Sequence, residues 1–188
     1  MAFAAGGYSV NAATFVVNTT ADTQDAAAGD GICADAGGAC SLRAAITEAN
    51  ALAGADIITL PAGTYTETLV SANDNLNAGG DFDITSDITI NGAGAGTTFV
   101  EANVAPGVAT ERVFHIRGAA TTTTLAVTID GVTIRNGRNA ANIFGGGVRI
   151  DQGLAHQVTI SNSTITANQN GSSGGGNCSF NSYRCSYS

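Results

Sequence analysis

Val127-Thr128-Ile129-Asp130-Gly131-Val132-Thr133-Ile134 recurs further along the chain as Val158-Thr159-Ile160-Ser161-Asn162-Ser163-Thr164-Ile165, the same form at a constant offset. Alternation with period 2 puts Val and Ile on one face of a short strand and Thr on the other. Gly or Asn after the strand suits a sharp corner with positive φ, and Asn91-Gly92, Asp130-Gly131, Asn136-Gly137 and Asn162 stand at such places. Two earlier triplets, Ile58-Thr59-Leu60 and Ile88-Thr89-Ile90, have the same form. The steps from Ile58 to Ile88 and from Val127 to Val158 are nearly equal, and the step between them, from Ile88 to Val127, is longer. Repeats of this period mark stacked units, each too small to bury its apolar face alone. Strand, corner and strand with no helix between predict an all-β solenoid, a single-stranded parallel β-helix over residues 55–176. The longer middle step predicts a longer loop within Gly92 to Thr110.

One segment is helical. Leu42, Ala45, Ile46 and Ala49 fall on one helix face, and Ser41 is a good N-cap. An open solenoid end exposes apolar side chains and unpaired strand edges. A short helix just before the first coil is expected to cover both, with Arg43 and Glu48 fixing it in place. Residues 14–54 thus form an N-terminal strand, a cysteine-bearing loop and a cap.

Composition removes several classes. Charged residues are 12% of the 188, against roughly 25% in ordinary soluble domains. A disordered chain needs high charge and low hydrophobicity, and 44% of this chain is apolar. The net charge is −8, the seven basic residues are all arginine, and no basic stretch exists to release counterions from nucleic acid. No apolar run approaches the ~20 residues of a membrane-spanning helix.

Residues 1–13 fit a signal-peptide remnant, with small residues at Val10-Asn11-Ala12, or equally a plain flexible N-terminus. The cysteines fall in two pairs, Cys33/Cys40 and Cys178/Cys185. Four cysteines allow three connectivities, of which local pairing is the simplest. Disulfides imply an oxidising compartment, the alternative being free thiols. After Gly174-Gly175-Gly176 the Val-Thr-Ile form is lost, so residues 177–188 are expected to be an irregular tail, from a fragment or an altered C-terminus.

Gly29-Asp30-Gly31-Ile32-Cys33, Cys40-Ser41-Leu42-Arg43-Ala44-Ala45-Ile46, Glu48-Ala49-Asn50 and Asp56-Ile57-Ile58-Thr59-Leu60-Pro61-Ala62-Gly63-Thr64-Tyr65 together resemble the CSLREA domain. The stretch departs from the name motif at Ala44-Ala45, where Glu-Ala would stand. Phe144-Gly145-Gly146-Gly147-Val148 and Ile165-Thr166-Ala167-Asn168 are similar to repeats of polymorphic outer-membrane and adhesin-like proteins. The resemblance implies a right-handed β-helix and an extracellular or cell-surface, outer-membrane-associated address, but no defined activity. The expected function is a non-catalytic module for adhesion or recognition, with a surface glycan or host component as partner.

Three candidate sites follow from the residues. Asp22, Asp25, Asp30 and Asp35 could offer oxygens to calcium, or be a solvated loop tied by Cys33 and Cys40. A polysaccharide lyase or hydrolase would need carboxylates grouped on an outward face. The nearest groups are Asp81/Asp83/Asp87, Arg149/Asp151, and Asp130 with Arg135, all explicable as ion pairs or corner caps. Thr59, Thr89, Thr128 and Thr159 are expected to stack in one outward column, with Thr133 and Thr164 in a second, a surface for ice or glycan or simply good strand formers. His115, in Val113-Phe114-His115-Ile116, is expected outward and at the surface.

Overall fold

The computed structural model describes residues 12–71, 74–118, 123–139, 145–151, 155–170, 178–179 and 185–187. Residues 1–11 of the expected flexible segment, the run Gly174-Gly175-Gly176, and the Cys178 and Cys185 side chains lie outside the described residues.

Among the described residues the chain is mostly β with one helix. Strand β1 (Thr14–Val16) precedes helix α1 (Leu42–Ala51). Then β2 (Ala55–Leu60), β3 (Gly63–Thr66) and β4 (Phe82–Ile84) fall in three different sheets, here A, B and C. The same rotation recurs with β5 (Asp87–Gly92), β6 (Thr98–Glu101) and β7 (Phe114–Ile116). It recurs again with β8 (Ala126–Asp130), β9 (Thr133–Arg135), the short β10 (Arg138–Asn139) and β11 (Val148–Ile150). A further round has β12 (Gln157–Ser161), β13 (Thr164–Thr166), β14 (Gln169–Asn170) and β15 (Cys178–Ser179), and β16 (Cys185–Tyr187) re-enters sheet A. The last two strands lie in the stretch expected to be irregular; they pair with β11 and β12. All of these pairings are parallel.

Alternation aims one side of each sheet at a single apolar core. In register across the sheets stand Ile58–Ile90–Ile129–Ile160, Tyr65–Val100–Ile134–Ile165 and Phe82–Phe114–Val148, all buried. The rings of Phe82 and Phe114 are 5.7 Å apart.

The register corrects one expectation. Ile58 pairs with Ile90 rather than Ile88, so Thr59 stands beside Asn91 and leaves the threonine column. The column is Ile57–Thr89–Thr128–Thr159. A slip of two positions keeps every side chain on its face, so alternation in the sequence could not reveal it. Thr133 and Thr164 do pair, but Thr133 is buried. Nor is the longer second step one loop. The connections 93–97 and 117–125 both exceed their counterparts 131–132 and 151–156.

The corner residues divide by cause. Gly131, Asn136 and Asn162 have φ of 66°, 61° and 48°, the left-handed turn expected of Gly and Asn. Gly92 is needed for another reason: a Cβ there would stand 2.4 Å from the Gly131 oxygen of the neighbouring strand row.

Helix α1 begins where Ser41 Oγ accepts from Ala44 N at 3.0 Å. Leu42, Ala45, Ile46 and Ala49 are all buried. Strand β4 is the outermost strand of sheet C, and Asn50 bonds its edge: Nδ2 donates to Asp83 O at 2.7 Å, and Oδ1 accepts from Thr85 N at 2.8 Å. The helix thus covers an edge that would otherwise be unpaired. Arg43 and Glu48 hold it. Arg43 pairs with Asp22 at 2.5 Å, donates to Gly80 O at 2.7 Å and lies 4.7 Å over the Phe82 ring. Glu48 accepts from the backbone N–H groups of Gly29 and Gly31. Cys33 and Cys40 form a disulfide that closes the loop leading into the helix.

Candidate functional site

Sheet C carries a second set of alternating triplets, Phe82-Asp83-Ile84, Phe114-His115-Ile116 and Val148-Arg149-Ile150, with a polar residue in the middle. Their middle residues stand in register, Asp83 beside His115 beside Arg149, on the side away from the core. Over this column lies the connection between β3 and β4. It is fastened by Asn77 N, which donates to Asp83 Oδ2 at 3.2 Å, and by Arg117 Nη1, which donates to Asn75 O at 3.0 Å.

His115 is therefore not a surface residue; it is 2% exposed. Alternation points it away from the core, as expected, but the loop roofs it over. Its Nδ1 lies 3.0 Å from Asp83 Oδ1 and its Nε2 2.9 Å from Asp151 Oδ1. Burial pulls its pKa down, but the bonds to Asp151 and Asp83 outweigh that and leave it raised. With a carboxylate at each nitrogen, the ring is held as the doubly protonated imidazolium.

Asp151 is the hub of the group. Arg149 Nη2 lies 3.0 Å from its Oδ1 and Arg117 Nε 3.7 Å from its Oδ2. Burial raises its pKa, yet the hydrogen bond and charge of His115 and the charges of Arg149 and Arg117 bring it down to about 2. Arg149 and Asp151 are thus brought together, as their spacing predicted. Beside them Asp81 pairs with Arg112 at 2.6 Å, and burial, only partly offset by Arg112, pushes its carboxyl up to about 6.

The other expected acids go elsewhere. Asp87 accepts from Ala126 N at 2.8 Å, and Asp130 accepts from Ser161 and Asn162 at 2.7 Å each. Arg135 pairs with Glu101 at 2.7 Å and lies 4.3 Å over Phe99.

In the acidic loop Asp25, Asp30 and Asp35 bond the loop's own backbone, while Asp22 reaches out of it. Asp22 holds Arg43 and the N–H groups of Thr68 and Leu69; Asp25 holds Ala27 and Ala34. Asp30 holds Ile32, and Asp35 holds Gly37 and Ala39, the Ala39 bond foremost in keeping its carboxyl below the usual range. The four do not converge. Among the described residues the one group with metal-ligand spacing is Asp81, Asp83 and His115, whose ligand atoms lie within 4.8 Å of one another. Arg112 already neutralises Asp81, and His115 gives both nitrogens to carboxylates, so this group is an ion-pair lattice rather than a cation cradle.

The polar-centred triplets recur at nearly even steps, starting at Phe82, Phe114 and Val148, so a search of the sequence for the apolar–polar–apolar form, not threonine alone, would have found His115. What covers it was not legible, because the loop that does so carries no pattern. Compared with family models, curated proteins and solved structures, the chain matches none.

Proposed function

We propose that the chain is a right-handed parallel β-helix capped by α1, and that it serves as a non-catalytic recognition module of a secreted or cell-surface protein of the CSLREA-domain type. The rotation of consecutive strands through three parallel sheets supports the architecture. The Cys33–Cys40 disulfide supports an oxidising address. One observation carries the non-catalytic reading: the charged residues on the outer face of sheet C are bound to one another. General acid–base chemistry needs a group free to give or take a proton at the substrate. His115 has neither nitrogen free, and Asp151 is held ionised by its neighbours. The ligand class favoured is a surface glycan or another cell-surface component, met by polar outer faces and not by a basic patch.

A glycan array run beside an assay for reducing or unsaturated sugar ends separates binding from cleavage. Saturable binding without turnover is expected. Turnover of a polymer that disappears in Asp151→Asn would establish a carbohydrate-active enzyme instead, and neither binding nor turnover would remove the glycan role.

A further inference from the structure

Asp56 stands in an inward row of sheet A, in register with Ile88, Val127 and Val158. Those three are apolar and, like Asp56, buried. Its Oδ1 accepts from the backbone N–H of Ala13 at 2.7 Å, and its Oδ2, sealed from solvent, meets no partner among the described residues. A carboxylate buried among apolar side chains is costly unless it is both paired and hydrogen-bonded. Among the described residues no ion pair reaches Asp56; Arg43, Arg112, Arg117, Arg135 and Arg149 are engaged by other carboxylates. The chain has no lysine. The nitrogen already in contact is that of Ala13, and as an amide it carries no charge.

Ala13 is also where the fold takes hold. Its carbonyl accepts from Ile57 N at 2.9 Å and its side chain packs against the core, while Ala12 is exposed. No strand or helix among the described residues precedes β1. In the sequence Val10 and Ala12 stand three and one residues before Ala13, where a leader peptidase reads small side chains. Two independent observations thus meet on one peptide bond. We propose that the Ala12–Ala13 bond is hydrolysed on export and that the new α-ammonium of Ala13 pairs with Asp56. The oxygen of a water adds to the Ala12 carbonyl carbon and the C–N bond breaks. Both hydrogens of that water pass to the Ala13 nitrogen, leaving a carboxylate on Ala12 and an ammonium on Ala13. Cleavage precedes folding, because the folded chain holds the Ala13 N–H on Asp56. The nitrogen then keeps its place beside Oδ1 and gains a positive charge and further N–H donors, where Oδ2 lacks a partner. The cleavage rests on the exported address proposed above; the fit of the ammonium to Asp56 does not.

Three forms test the pairing: the full chain, the chain beginning at Ala13, and that shorter chain acetylated on its α-nitrogen. Acetylation keeps an N–H and removes the charge. In the chain beginning at Ala13, the α-amino pKa read by nitrogen NMR is expected well above the ordinary value of about 7.7–8.0. Below about pH 8 this chain is expected to melt about 4 °C or more above its acetylated form, with the full chain melting beside the latter. The ammonium pKa is raised by folding, so the difference vanishes as pH climbs through the raised value. Asp56→Asn is expected to return that pKa to the ordinary range and to cancel the effect of acetylation. If Asp56→Asn does not fold, the pKa and the acetylation comparison in the parent decide. An ordinary α-amino pKa, or equal melting of the free and acetylated forms, overturns the pairing. N-terminal sequencing of the protein from its source cells is expected to find Ala13 first. Another first residue on protein outside the cell overturns the proposal and leaves the recognition role standing. Protein found only inside the cell, uncut, sinks both.

Discussion

Arg43 is among the largest side chains with no exposure, and its charge ties two separate pieces of chain to the helix, the acidic loop and the stretch 77–82. It pairs with Asp22 in the acidic loop, donates to the carbonyls of Asn77, Gly80 and Asp81, and lies over Phe82 of sheet C. Removing one partner of a buried ion pair costs about 3–5 kcal/mol, because the other charge stays buried. Arg43→Met is therefore expected to lower stability by about that amount. Arg43→Lys is expected to lose a smaller part, since an ammonium cannot fork to Asp22 as a guanidinium does. Urea unfolding of the two variants checks both; a change in Arg43→Met of under ~1 kcal/mol would contradict the role. In the sequence Arg43 is one polar position on an amphipathic helix, expected to hold the helix in place. Its partners were not legible, because Asp22 and Gly80 lie on irregular segments that no periodicity marks.

Between elements, the contact that tolerates least change is the corner where β5 ends. Gly92 faces the Gly131 carbonyl so closely that a Cβ at 2.4 Å would force one strand row away from the next. Gly96, a little later in the same connection, has nothing within 4 Å of the corresponding position. Gly92→Ala is expected to cost about 1–3 kcal/mol, as overpacking does, while Gly96→Ala stays within about 0.5 kcal/mol of the parent. Thermal melting of the pair is the measurement, and equal effects would mean that the rows do not stack so tightly. The sequence marks both residues alike, as glycines near a corner. Which one is crowded depends on Gly131, a whole strand row further along the chain, and distance in sequence carries no sign of it.

For the whole molecule the paired charges predict how stability varies with pH. The Asp151 pKa falls to about 2 in the folded chain, so its contribution is complete above its ordinary 3.8 and is lost as pH drops through about 2. His115 works at the other end. Its folded pKa is raised, so its contribution is complete below the ordinary 6.5 and is lost as pH climbs through the folded value. His156, lowered mainly by burial, has its window below 6.5 and does not mask that loss. Glu67, raised by burial, pulls in the same direction as His115. Asp81, raised to about 6, and Glu67 lose their contributions as pH rises from their ordinary values. Melting temperature is therefore expected to fall from about pH 4 upward as well as below about pH 4, with His115→Gln flattening the part above pH 6.5 and Asp151→Asn the acid limb. A melting temperature that rises steadily above pH 6.5 would show that His115 is not held as the cation.

The sequence by itself determined which face of each strand is apolar and where the helix starts, and it made Cys33–Cys40 the simplest of three connectivities. These are local properties: alternation with period 2, a side-chain cap and a short span. It also brought Arg149 and Asp151 to one outward face, because two positions apart on a strand means the same side. Only the tertiary structure decided that Thr59 stands beside Asn91, that His115 lies sealed between Asp83 and Asp151, and that Asp56 meets the Ala13 N–H. Register is degenerate to any shift of two positions, so alternation cannot choose among pairings. Burial of an outward residue depends on which loop folds over it, and here that loop joins a different pair of strands. The reading of low charge changes accordingly. Several of the few charges are buried and held at short range by one another, while the outward row of sheet A carries Thr89, Thr128 and Thr159.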